Sequence, residues 1–278
     1  MTLNKKYRDF MAEATAIADR QTVAAKEPTV LIAWCRGEDV NGWFADSIVG
    51  ILAHDVYSSD IPGRGRHVLK EGGGTIVVQS GPRIAEARSQ LVDQFLNKSS
   101  AEWLLMVDTD MDLPSDLVPR MLAYADLETC PILGALCFAG SPFGRQYPTV
   151  YRAYNEESGH LAIEPIDELP DPCEGLVKVG ATGAACLLVH RNVYKAMHHQ
   201  FKETPDGRPN PYPWFAEGLT TSKGAPLGED IAFCRKAMLM GIPIHVALDI
   251  QIGHRKSGTL NLASFTRYRE AMASEVLT

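Results

Sequence analysis

No apolar run in this 278-residue chain reaches the roughly 18 residues needed to cross a bilayer. The first 27 residues also lack the apolar h-region of a secretory signal, and they predict a short amphipathic helix instead. None of the six cysteines forms a CxxC pair, which argues against a zinc ribbon and favours reduced, buried thiols. We therefore expect no membrane insertion and a cytoplasmic location.

Basic residues are in the minority, since 27 Lys and Arg oppose 34 Asp and Glu, a formal net charge of -7. This balance argues against broad, non-specific nucleic-acid binding, which requires a basic face. Much of the negative charge lies in the stretch 156–174, which predicts an exposed excursion such as a hairpin. The rest of the chain is nearly neutral, so a local basic groove stays open, with the 64–70 loop and the 255–269 tail as candidates.

Apolar runs predict an α/β chain in which strands alternate with helices from residue 30 to 138. The run 103–107 is continuously apolar, which is typical of a parallel strand covered on both faces. The fold class expected is a mainly parallel sheet flanked by helices, with a more mixed C-terminal half. The predicted strands are 30–34, 75–79, 103–107, 132–138, 184–189 and 243–248, and the predicted helices are 47–52, 84–95, 191–200 and 229–240.

The most informative motif is Asp108-Thr109-Asp110, which directly follows the apolar run 103–107. Ligands of such sheets bind beyond the carboxyl ends of the strands, so both carboxylates are expected in that crevice. Carboxylate oxygens are the ligands that Mg²⁺ or Mn²⁺ takes, with phosphate oxygens and water completing the shell. The alternative is an ordinary turn, in which Asp is common.

Two later motifs have both a chemical and a structural interpretation. Glu229 and Asp230 open a predicted helix, where a carboxylate can act as a general base or simply favour the helix dipole. His254, followed by Arg255 and Lys256, can complete a metal's coordination while the cations neutralise a diphosphate. A lone histidine is otherwise more often an ordinary surface or core residue.

Three softer features concern glycines and aromatics. The loop from Gly180 to Gly183 is either a close approach under a ligand or a tight turn. The pair Trp214-Phe215 lies in a proline-rich loop, where it either stacks on a ligand or packs in the core. The glycines at 72–74 lack the GK[ST] ending of a phosphate-binding P-loop and predict a turn.

Taken in chain order, these motifs resemble the GT-A glycosyltransferases, especially family-2-like enzymes, and among them the small soluble members encoded by bacteriophages. The resemblance runs from about residue 30 to 256. It implies a GT-A-like, Rossmann-like fold with one catalytic domain over 28–256. Residues 28–140 would be its nucleotide-sugar half and 141–256 its acceptor half, preceded by the helix over 1–27 and followed by a helical tail over 257–278.

The resemblance also implies roles for matching positions. Asp110 and His254 would ligate Mn²⁺ or Mg²⁺, and Asp108 would face the ribose or the metal's water shell. Asp230 would be the base of an inverting transfer, and Glu229 would hold substrate. The candidates for binding the nucleotide-sugar are Cys35, Arg36, Glu38, Asp39, Arg83, Arg88, Thr109, Gly180, Thr182, Gly183, Arg255 and Lys256, and those for binding the acceptor are Trp214 and Phe215.

The function expected is transfer of a sugar from a nucleoside-diphosphate sugar, with a UDP-sugar favoured, to an acceptor hydroxyl. The phage resemblance raises one specific acceptor, a hydroxymethylated pyrimidine in phage DNA, which would place the protein in a host cytoplasm. In that case the acidic stretch would face away from the DNA. Protein, glycan and small-molecule acceptors are the alternatives. A sugar-1-phosphate nucleotidyltransferase and a non-catalytic nucleotide- or carbohydrate-binding module are the rival functions.

Overall fold

The computed structural model describes residues 28–275, apart from 39, 60–66, 82, 142–143, 156–160, 219, 221–223, 225 and 256–258. The helix predicted over 1–27 lies outside the described residues, as do Asp39, Lys256 and most of the 64–70 loop. Within the described ranges, no helix is long and apolar enough to cross a membrane. All six cysteines are free thiols, four of them buried and two half-buried.

The described residues form seven helices and fifteen strands. The helices are α1 (Gly42–Ser59), α2 (Val68–Gly72), α3 (Ile84–Lys98), α4 (Leu117–Tyr124), α5 (Arg191–Phe201), α6 (Glu229–Met240) and α7 (Leu262–Glu275). The strands are β1 (Val30–Arg36), β2 (Thr75–Gln79), β3 (Trp103–Val107), β4 (Met111–Asp112), β5 (Ile132–Leu136), β6 (Phe138–Gly140), β7 (Gln146–Pro148), β8 (Val150–Asn155), β9 (Leu161–Pro165), β10 (Leu176–Val179), β11 (Ala181–Thr182), β12 (Cys186–His190), β13 (Ile244–Gln251), β14 (Gly253–Arg255) and β15 (Thr259–Leu260).

Seven strands form the central sheet in the order β10-β13-β5-β12-β3-β1-β2. Five of them point the same way, because β1, β2 and β3 pair in parallel and β13 pairs in parallel with β5. The two reversed strands, β12 and β10, both come from the second half of the chain. The predicted fold class is therefore confirmed, including its mixed C-terminal half, and the arrangement is consistent with a GT-A-like fold.

Alternate side chains of the central strands enter two apolar layers on opposite faces of the sheet. Leu104 and Met106 join one layer, while Trp103, Leu105 and Val107 join the other. All five residues of β3 are buried. Burial on both faces explains why β3 is apolar at every position. Polar residues begin only where this strand ends, at its carboxyl end.

Three small sheets lie outside the central one, and the simplest is the two-stranded pair of β6 and β7. Another has the order β15-β14-β4, and its β4–β14 pair places His254 opposite Met111 and Gly253 opposite Asp112. The third has the order β11-β8-β9, in which β9, at the start of the described part of the acidic stretch 156–174, pairs antiparallel with β8, which precedes that stretch. The strands of two or three residues in these sheets have too few periods for a sequence pattern to reveal them.

Helix α3 is held at its carboxyl end by Arg191. The guanidinium donates to the carbonyls of Phe95, Leu96, Ser99 and Ala101 at 2.6–3.1 Å. These are carbonyls that a helix end otherwise leaves without partners. The anchored helix places Arg88 beneath the carboxyl edge of the sheet.

Candidate active site at the carboxyl edge of the sheet

The 108–110 turn projects from the carboxyl end of β3, as predicted. The Asp108 amide donates to the Ala185 carbonyl at 2.9 Å, and the Met111 amide donates to the Asp108 carbonyl at 3.3 Å. Asp108, Thr109 and Asp110 are all half-buried. The turn therefore presents two fixed carboxylates at the edge where β1 and β2 also end.

Arg88 joins two of the predicted carboxylates. Its Nη2 donates to Asp108 Oδ1 at 2.8 Å and its Nη1 donates to Glu229 Oε1 at 2.5 Å, with only 7% of the arginine side chain exposed. Burial lowers the pKa of Arg88, but Asp108 and Glu229 outweigh it, and the pKa is raised above its ordinary value. Arg88, predicted to approach a donor, is instead committed to two protein carboxylates.

Asp110 and His254 form a second pair at the same edge. Asp110 Oδ2 lies 2.8 Å from His254 Nε2, and His254 Nδ1 lies 3.0 Å from the Phe138 carbonyl oxygen. A carbonyl oxygen only accepts, so Nδ1 must donate there. Nε2 and the carboxylate then need a proton or a cation between them, and a backbone carbonyl that fixes the imidazole through its other nitrogen is typical of metal-binding histidines.

The residues present fit a divalent cation whose coordination shell is completed by substrate and water. Among the described residues, no three His, Cys, Asp or Glu side chains cluster as a full metal cage. Asp110 and His254 supply two ligand atoms, and the Asp108 carboxylate is engaged by Arg88. Mg²⁺ is commonly held by one or two carboxylates plus substrate phosphates and water, so a two-ligand set suits that use.

Arg255 lies beside this site, where it forms an ion pair with Asp112 and stacks over the ring of Trp43. Its Nη2 and Nε donate to Asp112 Oδ2 at 2.7 and 3.2 Å, and its amide donates to the Asp110 carbonyl at 2.7 Å. The guanidinium carbon lies 5.4 Å from the centre of the Trp43 ring. Sequence reasoning missed Asp112 and Trp43, since only the β4–β14 pairing and the start of α1 bring them here.

Asp230 stands at the start of α6, next to Glu229. Its Oδ1 accepts from the Ile231 amide at 2.7 Å. Burial and the neighbouring Glu229 raise the pKa of Asp230, and Arg88 only partly offsets them. A Cβ on Gly228 would lie 2.6 Å from Asp230 Oδ1, so glycine leaves the room that this carboxylate occupies.

The residues of the loop 180–183 have two kinds of surroundings: some pack against neighbouring strands, and one borders the candidate site. A Cβ on Gly180 would lie 2.1 Å from the Ala153 amide nitrogen, so this glycine permits close packing of strands. Thr182 is buried and donates to the Thr149 carbonyl at 2.9 Å. Only Gly183 borders the site, where a Cβ would lie 3.6 Å from Asp230 Oδ2. The donor-binding prediction for Gly180 and Thr182 is therefore replaced by a packing role.

Two cavities open near the carboxyl ends of β1 and β2. One, of about 580 Å³, is lined mainly by apolar side chains, with Trp34, Phe44 and Arg36 among them. The other, of about 310 Å³, includes Arg83. Arg36, Glu38 and Arg83 are exposed. Both cavities border the edge that carries the carboxylates, at the sheet margin formed by β2.

Cys35 lies near the carboxyl end of β1, close to Arg88, Asp108 and Glu229. It is half-buried, and burial is the largest cause that raises its pKa, to about 11. Arg88 lowers that pKa, while Asp108 and Glu229 raise it. The thiol is thus neutral at physiological pH and borders the same carboxylates.

Trp214 and Phe215, predicted to bind the acceptor, belong to the core. Trp214 is 5% exposed and donates from Nε1 to the Tyr194 carbonyl at 2.8 Å. Phe215 is fully buried and stacks on Phe233, with 5.0 Å between ring centres. Lys236 fixes the loop from below through the carbonyls of 212–214. Neither ring offers a face to a ligand, so we assign both to packing.

Comparison with known proteins gives structural neighbours only. No protein-family model matches the chain, and no curated protein matches its sequence. The fold is similar to that of the A197 protein from STIV, at 13% identity and a TM-score of 0.50, over 84% of this chain and 89% of that one. This likeness concerns the fold alone.

Two weaker neighbours are glycosyltransferases. One is GalNAc-T7, solved with UDP, GalNAc and Mn²⁺, at 13% identity and a TM-score of 0.44, over 84% of this chain and 44% of that one. The other is a glycosyltransferase involved in glycosylation of the major capsid of PBCV-1, at 16% identity and a TM-score of 0.30, over 64% and 69% of the two chains.

Proposed function

We propose that this chain is a metal-dependent glycosyltransferase that moves a sugar from a nucleoside-diphosphate sugar to an acceptor hydroxyl. The observation that carries the proposal is that two groups of paired side chains meet at one edge of the sheet, and that each contains a carboxylate of the 108–110 turn. Asp110 meets His254 there, and Asp108 is joined through Arg88 to the helix turn that holds Asp230. The Asp110–His254 pair suits a cation, and Arg88 fixes Glu229 next to the candidate base Asp230. A cation and a base are the two functions that this transfer needs.

Asp110 and His254 would hold Mn²⁺ or Mg²⁺, which when bound supplies Lewis-acid stabilisation of the charge that develops on a departing diphosphate. Asp108 would face the ribose or the water around the metal, as its place next to Asp110 supports. Arg255 and Lys256 would lie on the phosphate side. In its observed position Arg255 pairs with Asp112, so engaging phosphate requires it to exchange partners.

Asp230 would accept the proton of the acceptor hydroxyl in an inverting transfer. A carboxylate with a raised pKa is a better proton acceptor than an ordinary one, and burial supplies that change here. Glu229 is fixed by Arg88 and would hold substrate beside it. The nucleoside would bind towards the ends of β1 and β2, where Cys35, Arg36 and Glu38 follow one another and a cavity of about 580 Å³ opens.

The test is a thermal-shift panel of UDP, GDP, CDP and dTDP, each with Mn²⁺, Mg²⁺ or EDTA. A nucleotide at about 100 times its Kd should add roughly 2.7 kcal/mol to the free energy of unfolding. For a chain of this size that is a rise in Tm of several degrees. We expect one nucleotide to give this rise only with metal, and Asp110→Ala to abolish it.

The matched control is Asp116→Asn, which alters a carboxylate that is 49% exposed and whose only ion pair among the described residues is a 3.9 Å contact with Arg120, four residues on. It should keep the metal-dependent rise. A folded sample with no rise for any nucleotide contradicts the proposal. Release of pyrophosphate from a nucleoside triphosphate and a sugar phosphate would instead indicate a nucleotidyltransferase, and binding without turnover would indicate a non-catalytic module.

A further inference from the structure

A third cavity, of about 430 Å³, opens where β4, the end of β13 and the start of α7 meet. Asp112, which follows Asp110 by two residues, lines this cavity, and so does Gly253, which directly precedes His254. Asp112 and Gly253 face each other in the β4–β14 pair. Neither Asp110 nor His254 lines the cavity. It is therefore a separate space, whose wall continues along the chain from the candidate metal pair.

Three polar side chains that line this cavity keep hydrogen-bonding groups that have no partner in the described part of the chain. Both side-chain contacts from Arg255 go to Asp112 Oδ2, so Asp112 Oδ1 remains an acceptor. Asn261 Oδ1 accepts from the Ser264 amide at 2.9 Å, which leaves Asn261 Nδ2 as a donor. The side-chain amide of Gln251 is exposed and supplies both a donor and an acceptor. The cavity thus offers acceptors and donors together.

The start of α7 is held rigidly at the wall of this cavity. The Asn261 amide donates to Ser264 Oγ at 2.9 Å, and the Ser264 amide donates back to Asn261 Oδ1 at 2.9 Å. Ser264 Oγ also lies 2.9 Å from Oε1 of the buried Gln146, which ties the helix to β7. Groups that are already fixed cost a ligand less ordering entropy when it binds. The Asn261 donor is therefore preorganised.

The charge and polarity of the lining decide the class of ligand. The Asp112 carboxylate is the only charged side chain among the lining residues, so the cavity repels anions. Arg255 already neutralises that carboxylate at 2.7 Å, so a cation gains little there. Leu113, Pro114 and Leu262 add apolar surface to the lining. A few placed polar groups within apolar walls suit a sugar ring, which has hydroxyl edges and C–H faces.

We infer that this cavity binds an uncharged sugar unit, and that it holds a part of the acceptor beyond the hydroxyl that reacts. The acceptor role, unlike the binding itself, rests on the proposed function. A glycan held between β4 and α7 has one end beside Asp110 and His254, where transfer would occur. A neutral glycan is favoured over DNA, because DNA binding gains its affinity from cations that replace the counterions of phosphates, and no Lys or Arg lines the cavity.

The binding is tested by saturation-transfer NMR with the methyl glycosides of glucose, galactose, mannose and N-acetylglucosamine, without metal or nucleotide. Methyl glucuronide is the anionic match of methyl glucoside. We expect a signal from at least one neutral glycoside and none from the glucuronide. Ala263→Trp puts a large ring on an exposed lining residue and should abolish the signal. Gln251→Ala should weaken binding about fivefold, since it removes one hydrogen-bonding group. Ala273→Trp, on the same helix but outside the lining, is the matched control and should keep the signal.

The acceptor role is tested by nucleoside-diphosphate release from the nucleotide-sugar that the thermal-shift panel selects. The glycoside that binds should stimulate release, and Ala263→Trp, but not Ala273→Trp, should lower the ratio of release with glycoside to release in water. An unchanged ratio in Ala263→Trp overturns the acceptor role. No signal from any neutral glycoside, an equal signal in Ala263→Trp, or displacement of the glycoside by a duplex that contains 5-hydroxymethylcytosine overturns the sugar site. A folded protein that binds a glycoside at this cavity but no nucleotide supports the sugar site and contradicts the proposed function.

Discussion

Two adjacent acidic residues, Glu229 and Asp230, occupy different environments at the start of one helix. Glu229 is tied to Arg88 by a 2.5 Å hydrogen bond, so its carboxylate is fixed in place. Asp230 has no cation in direct contact within the described chain, and burial raises its pKa. When their environments make the pKa values of two neighbouring carboxyl groups differ, one group can bind substrate while the other acts as the base.

The raised pKa of Asp230 predicts the acid side of the activity profile. Only the deprotonated form accepts a proton, and a raised pKa keeps the carboxyl protonated up to a higher pH. Transfer should therefore decline, as pH falls, at a pH above the ordinary aspartate value of 3.8. The measurement is kcat against pH at saturating donor, with Asp230→Asn expected to lose at least about a hundredfold in kcat. A near wild-type rate in Asp230→Asn contradicts the assignment of the base.

The contacts of these residues were only partly predictable. Asp110 and Asp230 are visible because one follows an apolar strand and the other opens a helix. The Arg88–Glu229 bond joins residues 141 positions apart, and the Asp110–His254 contact spans 144. No local pattern encodes such a distance. It arises from strand order, and only a family resemblance could suggest that His254 approaches the turn.

Strong apolar elements were predicted well at the scale of strands and helices, and weakly patterned ones were not. Strand β3 matches its prediction because all five residues are buried. Helix α1 extends over Gly42–Ser59, well beyond the predicted 47–52. Its outer face carries exposed Val49 and Val56, so the apolar pattern is not confined to one side and does not mark the ends.

The start of α6 places the candidate base, and Gly228 is the residue that allows it. Its φ of -65° is open to any residue, so a substitution there acts through space rather than backbone strain. Gly228→Ala would put a Cβ 2.6 Å from Asp230 Oδ1 and force the carboxylate to move. We expect kcat to fall about 10- to 100-fold, since small misplacements of a reacting group carry costs of that order.

The readouts for Gly228→Ala are steady-state transfer and the nucleotide-induced rise in Tm, which should persist. Gly42→Ala is the control, because a Cβ at Gly42 meets nothing within 4 Å. Equal rates in Gly228→Ala and the wild type would show that Asp230 does not need its observed position.

At the scale of the whole molecule, the predicted nucleotide-sugar half and acceptor half are interleaved in one sheet. Strand β5 from the first half lies between β12 and β13 from the second. Beyond the sheet, Arg88 ties the halves together, because Asp108 belongs to one and Glu229 to the other. The order of motifs along the sequence gave no indication of this interleaving, which arises because β12 pairs with both β3 and β5 and β13 pairs with the other side of β5.

Burial makes the Arg88 bridge a determinant of global stability. Removing the cation would leave two carboxylates, 34% and 14% exposed, facing each other without compensation. Arg88→Met should therefore lower the free energy of unfolding by about 3–5 kcal/mol, the range for breaking a buried ion pair. Arg208→Met tests the role of burial directly, since the 2.7 Å contact between Arg208 and Asp206 has a length similar to the Arg88 contacts, but these two side chains are 79% and 54% exposed. That substitution should leave the midpoint of a urea titration essentially unchanged, because solvent screens an exposed pair. Similar losses for both variants would mean that the bridge between the halves contributes no more than a surface contact.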